Sequence, residues 1–140
     1  MPRCYLAAPL FTDAERAWNA ALAADIRQAL PHLDLLVPQE FCAPLQTSEG
    51  AADFGRIYAA CRELLESADV VVAILDGPDS VSGTAWELGF AVARDKVCLG
   101  LRTDWRPAED GASNCMLSRS CRRICRSGDE LLEELRAHLA

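Results

Sequence analysis

Residues 69–89 read DVVVAILDGPDSVSGTAWELG, and the reading of this stretch decides the fold. Residues 69–75 read as a strand, uniformly apolar from Val70 on, after which the chain breaks into an acidic loop containing Gly77, Pro78 and Gly83. A short apolar run bounded by turn residues fits a strand buried on both faces, as strands of a parallel sheet are. Residues 84–95 then carry helical spacing. The loop supplies Asp76 and Asp79, and the helix opens with Glu87. Three carboxylates aimed at the end of one buried strand need a purpose, because an unpaired charge beside an apolar core is costly.

Working outward, residues 3–8 form a second apolar strand, residues 33–37 and 97–102 two more, and residues 122–126 a short fifth. Residues 13–30, 52–67 and 127–139 carry helical spacing like residues 84–95. Trp18, Leu22, Ile26 and Leu30 form the apolar stripe of the first helix, and Leu131, Leu132, Leu135 and Leu139 that of the last. Strand and helix alternate, which implies parallel strands joined by right-handed helical crossovers with helices on both faces. The expected fold is therefore α/β, a doubly wound parallel five-stranded sheet, and the order 2-1-3-4-5 is the one flavodoxin-like sheets of this kind take. Residues 38–52, with Pro44, Thr47, Ser48 and Gly50, read as one long irregular loop. With 140 residues, 51% of them hydrophobic, and no internal repeat or low-complexity tract, residues 1–140 are expected to form one domain.

Composition excludes several functions. A net charge of −7 argues against a nucleic-acid partner, which needs a positive face to release counterions. The basic run RSCRRICR at residues 119–126 reads as solvated surface around a strand. Seven cysteines, an odd number scattered through apolar runs and with no CxxC, suit free thiols in a reducing cytosol better than a disulfide framework, and they lack the spacing of a zinc site. The first apolar run ends at Pro9, too short to span a membrane and without signal-peptide flanks. Neither a metal, a cofactor nor a membrane is expected as a partner.

In a doubly wound sheet, ligands sit beyond the carboxyl ends of the strands where the strand order reverses, here between strands one and three. Strand one delivers Ala8, Pro9 and Phe11, and strand three delivers Asp76, Gly77, Asp79, Ser82 and Gly83. Gln39 follows strand two, where its amide could read a base edge. Trp86 is placed to pack on a base, whereas Trp18 belongs to the core and Trp105 to a loop. His32 and His138 lie at a turn and near the terminus and take no catalytic role. Two readings of Glu87 compete. With Thr84 it matches a capping box, closing the helix start. A carboxylate in the first helical turn also feels the positive end of the helix dipole and stays ionised, as a nucleophile must. Clustered carboxylates suit cleavage of a bond to an anomeric carbon, one attacking while another group handles the leaving group's proton. The segment SVSGT at residues 80–84 also permits an anion site.

Five segments in order resemble the nucleoside 2-deoxyribosyltransferases: YLAAPLF (residues 5–11), ADVVVAILDG (68–77), SGTAWELGFAVA (82–93), TDWR (103–106) and SNCML (113–117). The resemblance implies a flavodoxin-like fold and transfer of a 2′-deoxyribosyl group between nucleobases through a covalent glycosyl-enzyme intermediate. It implies Glu87 as the nucleophile and Tyr5 as the residue that orients it. It also implies Asn114 as a contribution from a neighbouring subunit to the sugar's 5′-hydroxyl, with Met116 beside it as an apolar anchor, and hence a homo-oligomer with a shared active site.

Three positions depart from the family pattern. Val81 stands where an aspartate commonly contacts the sugar's 5′ end, leaving Asp79 as the nearest substitute. Cys61 stands where an acid or amide often faces the base, so protonation of the base falls to Asp76 or to water. Related nucleotide N-hydrolases line the 5′ end with serines, and Ser80 and Ser82 keep that alternative open, as does a non-catalytic nucleotide-binding module on the same scaffold. The expected activity is transfer of deoxyribose from a 2′-deoxynucleoside to a second nucleobase.

Overall fold

The structure is a computed structural model that describes residues 1–45, 48–111 and 113–140; Thr47 of the expected loop lies outside them. The order of elements is β1 (Arg3–Ala7), α1 (Asp13–Ala29), β2 (Asp34–Leu36), α2 (Pro38–Cys42), α3 (Phe54–Ser67), β3 (Val70–Ile74) and α4 (Ser82–Ala93). It continues with β4 (Val97–Leu101), a 3-10 turn (Glu109–Gly111), α5 (Cys115–Ser118), β5 (Arg123–Cys125) and α6 (Gly128–Leu139). All four strand pairings are parallel, and the order is β2-β1-β3-β4-β5, the flavodoxin-like arrangement expected.

Side chains alternate between the two faces of each strand, so strand parity sorts the core into two halves. Cys4 and Leu6 of β1 and Val70, Val72 and Ile74 of β3 pack with Leu22, Ala23 and Ile26 of α1 and Leu131 and Leu135 of α6. Tyr5 and Ala7, with Val71, Ala73 and Leu75, face the other way against Leu65 of α3 and Leu88 and Ala91 of α4. Each fully buried Leu, Val or Ile contributes about 1.5–3 kcal/mol, so both layers are needed. This parity decides which helices Tyr5 meets.

Helix boundaries follow local chemistry. Thr12 and Glu15 form a true capping box at the start of α1, Asp53 caps α3 and Ser127 caps α6. Helix α4 is capped by Arg94 and followed by Asp95, which takes the left-handed conformation at φ 56° that closes many helices. Two readings of the sequence are corrected. The segment 38–52 opens with α2, because Pro38 is pre-set for a first helical position and Arg27 binds both oxygens of Glu40 across to α1 (2.9 and 2.7 Å). Trp18 is not core: it is 38% exposed, and Asn19 takes the inward position beside Leu22, Ala23 and Ile26.

Candidate active site

Glu87 lies on the sheet-facing stripe of α4, one position from Leu88 and three from Thr84, both buried. Because α4 begins at Ser82 with Val81 as its N-cap and no side-chain cap, Glu87 sits in the second turn. The expected capping box at Thr84 is therefore absent, and so is the first-turn placement that would use the helix dipole. Thr84 instead buries its hydroxyl without a hydrogen-bond partner among the described residues. Released from capping, the Glu87 carboxylate reaches the sheet, where the Tyr5 hydroxyl donates to its Oε1 at 2.6 Å.

Burial pushes the Glu87 carboxyl up to about 7, with the Tyr5 hydrogen bond pulling the other way. The Tyr5 hydroxyl is pushed far above its ordinary range by burial and by the neighbouring carboxylate, so it stays a neutral donor. A donor locked on one oxygen leaves the second oxygen of Glu87 for other chemistry. A cleft of about 310 Å³ gives access to it, lined by Tyr58, Cys61, Arg62, Gly83, Trp86 and Glu87. Size does not single it out, since a hollow of about 440 Å³ lies between α1 and α6, but the carboxylates there, Asp25 and Asp129, are exposed.

The aromatic wall of the cleft is built on α3 and α4. Trp86 stacks on Phe90 with centroids 5.4 Å apart, and Tyr58 meets its edge at 5.9 Å. Trp86 remains 47% exposed, with ring surface free for a further flat partner. Cys61 is an electrostatic neighbour of Tyr5, and its Sγ lies 3.6 Å from that of Cys42 at the end of α2.

Asp76 is a correction. Its carboxylate accepts from the Thr103 amide (2.6 Å), the Thr103 hydroxyl (2.7 Å) and the Asp104 amide (2.8 Å), tying the end of β3 to the end of β4. It lines a separate hollow with Gly77, Thr103, Asp104, Trp105 and Arg106. Arg102, 2% exposed, completes the tie by donating to the carbonyls of Leu75 (2.6 Å) and Gly77 (3.0 Å), while the Gly77 amide donates to Asp104 (3.0 Å). Arg106 is bound to the same Asp104 and holds its carboxyl well below the usual carboxylate range. Gly77 has φ 106°, a conformation that side chains rarely adopt. The pair Asp76 and Gly77 therefore shapes the loop rather than lining the Glu87 cleft.

The other expected residues divide similarly. Ala8 and Pro9 are packed in at the end of β1, while Phe11 stands 70% exposed. The Gln39 amide accepts from Asn19 and donates to the Arg16 carbonyl, both at 3.0 Å, so it bolts α2 to α1 and keeps only part of its capacity for a ligand. Asp79 and Ser82 are exposed, and Ser80 pairs with Ser113 at 3.0 Å between hydroxyl oxygens. Asn114 caps α5 by accepting from the Met116 amide at 2.9 Å, and Met116 is 73% exposed. Sequence reading missed Tyr58, Cys42, Asn19 and Arg102. The spacing of Tyr58, Cys61 and Leu65 on one face of α3 is the signal that could have found the first. Among the described residues, no group of three or more His, Cys, Asp or Glu is arranged to hold a metal, and no helix is long and apolar enough to cross a membrane.

Fold and site together define a flavodoxin-like α/β protein whose tyrosine-held carboxylate opens on an aromatic cleft. The model of the nucleoside 2-deoxyribosyltransferase family matches residues 4–131, and the chain belongs to that family. Among solved structures, a conserved protein from Enterococcus faecalis V583 is 30% identical, with 99% of each chain covered and a TM-score of 0.86. A 2-deoxyribosyltransferase from Bacillus psychrosaccharolyticus is 20% identical, covering 93% of this chain and 90% of that one, with a TM-score of 0.76. The 2-desoxiribosyltransferase from Leishmania mexicana is 23% identical, covering 99% of each chain, with a TM-score of 0.73. The last two share the fold with this chain. No curated protein matches it.

Proposed function

We propose that the protein cleaves the N-glycosidic bond of 2′-deoxynucleosides and transfers the deoxyribosyl group to a second nucleobase, with Glu87 as nucleophile. The observation that carries this reading is the 2.6 Å hydrogen bond from Tyr5 to Glu87 in a half-buried site. A carboxylate with one oxygen fixed presents the other in a single direction, and positioning of this kind removes much of the entropic barrier to attack. The Glu87 oxygen bonds to C1′ as the C1′–N bond breaks, and the electron pair leaves with the base. No other carboxylate lines the cleft among the described residues, so water protonates the departing base. A second base then attacks C1′ and frees Glu87. A base sandwiched against Trp86 accounts for the half-exposed ring. Asn114 and Met116 serve the cleft of a neighbouring subunit in a homo-oligomer.

Purified protein incubated with deoxyadenosine and free cytosine tests the reading: deoxycytidine should appear, and Glu87→Gln should abolish it in a folded protein. Near-normal exchange by that variant would sink the mechanism.

A second reading is a hydrolase of 2′-deoxynucleoside 5′-monophosphates. It is favoured by the hydroxyl pair of Ser80 and Ser113 beside exposed Ser82 at the start of α4, and by Asp76 being turned away to Thr103, which removes part of the charge that would repel a phosphate. Competing deoxyadenosine with its monophosphate in the same assay separates the two. Faster loss of the monophosphate with the sugar released to water would replace transfer by hydrolysis.

A further inference from the structure

Two of the seven cysteines meet at the proposed nucleophile. Cys42 is the last residue of the five-residue α2, and Cys61 lies in the middle of α3 with its thiol in the wall of the Glu87 cleft. Their sulfurs are 3.6 Å apart, and Cys61 is an electrostatic neighbour of Tyr5, which holds Glu87. A chain of contacts therefore runs from α2 through Cys42, Cys61 and Tyr5 to Glu87. We propose that Cys42 and Cys61 form a disulfide on oxidation and thereby shut down the chemistry at Glu87, a regulation that rests on the catalytic role proposed above.

The geometry is close to bonding. A disulfide needs about 2.0 Å between sulfurs, so the pair must close by about 1.6 Å, within the reach of side-chain rotation and a shift of a five-residue helix. Hydrogen peroxide is a sufficient oxidant. The Cys61 sulfur, which lines the cleft, attacks one peroxide oxygen, giving a sulfenic acid and one water. The Cys42 sulfur then displaces the hydroxyl from the Cys61 sulfur, giving the disulfide and a second water. Two thiols lose two electrons and two protons in all, and the peroxide takes them up.

Burial raises both thiols and holds them protonated at neutral pH, Cys42 pushed up to about 12, with Tyr5 and Glu87 as the ionisable groups beside them. The pair is therefore quiet under reducing conditions and closes under sustained oxidation rather than on brief exposure. Closure shifts the Cys61 sulfur beside Tyr5, the residue that aims Glu87, and ties the end of α2 to the cleft wall.

The test uses the full chain, reduced and then treated with millimolar hydrogen peroxide at pH 8. After blocking of remaining thiols, tryptic mapping should recover the peptide ending at Arg56 joined to the peptide ending at Arg62, and base exchange should fall at least tenfold and return with dithiothreitol. Cys42→Ser should exchange bases normally when reduced and form no joined peptide under peroxide. Absence of the joined peptide, or its presence with exchange unchanged, would overturn the proposal. A reduced wild-type protein that neither exchanges nor hydrolyses would remove the catalytic reading instead, and the peptide map would then judge the dithiol by itself.

Discussion

Tyr5 and Glu87 are separated by 82 positions in the sequence and by 2.6 Å in the fold. Register and parity bring them together: Tyr5 pairs alongside Leu36 and Val71 in the sheet and faces α4, whose inward stripe carries Glu87 between Thr84 and Leu88. The pairing keeps the tyrosine neutral and leaves the carboxyl poised at about 7. Ionisation near neutrality suits a group that must be charged to attack and yet sits against an apolar core.

One consequence is a pH profile. Glu87 attacks as a carboxylate, so kcat/KM for a deoxynucleoside should rise with pH and level off above about 7. A hydrogen bond to a charged acceptor is worth about 1.5–3 kcal/mol, so Tyr5→Phe should move that limb upward by about 1–2 pH units as well as lowering the plateau. A Tyr5→Phe profile with its midpoint unmoved would mean that the hydroxyl does not tune Glu87.

Stability should carry the same signature with the opposite benefit. The Glu87 carboxyl is raised from 4.5 in the unfolded chain to about 7 in the fold, so protonation stabilises the native state. That stability is fully present below about 4.5 and is lost as pH rises to about 7, amounting to about 3 kcal/mol. Glu87→Gln should therefore be inactive yet more stable than wild type at pH 8, with the difference shrinking towards pH 4.5. Urea unfolding at the two pH values measures it, and a variant less stable than wild type at pH 8 would contradict the burial cost.

The tie between the ends of β3 and β4 should behave as structure. Removing its carboxylate in Asp76→Ala leaves the Thr103 and Asp104 amides without their acceptor, which costs about 1–3 kcal/mol. Arg102→Met strips donors from the Leu75 and Gly77 carbonyls and should cost about 2–4 kcal/mol. Both variants should keep the midpoint of the wild-type pH profile. A lost alkaline or acid limb in Asp76→Ala would return Asp76 to proton transfer.

Sharing of sites between subunits is tested by complementation. Inactive Glu87→Gln mixed with inactive Asn114→Ala should recover part of the exchange activity, because some clefts then combine a native Glu87 with a native Asn114 from the neighbour. With subunit exchange verified by size-exclusion and labelling, no recovery would put Asn114 in its own subunit's site or in none.

The sequence alone determined the alternation of strands and helices and hence a parallel sheet, because these rest on apolar periodicity and turn residues within a few positions of each other, whereas the strand order followed from likeness to the flavodoxin-like pattern. Residues 70–75 could be little else than a buried strand, and α6 begins within one residue of its expected start because Ser127 caps it. Tyr5 and Glu87 were legible as a pair through the order of the family's segments. Local patterns failed where the outcome depended on contacts across the chain. Thr84 and Glu87 have the spacing of a capping box, yet α4 starts two residues earlier and the carboxylate is drawn to the sheet. Asp76 looks like a free acid until the end of β4 supplies three donors to it. Trp18 has the spacing of a core residue, but a small amide at Asn19, bonded to the Pro9 carbonyl at 2.8 Å and to Gln39, takes the inward place. Cys61 gains its meaning only when α2 brings Cys42 to 3.6 Å. Spacing along the chain fixes which face of its own element a side chain occupies, but its ionisation and its partners depend on groups that only the packed sheet and helices bring within reach.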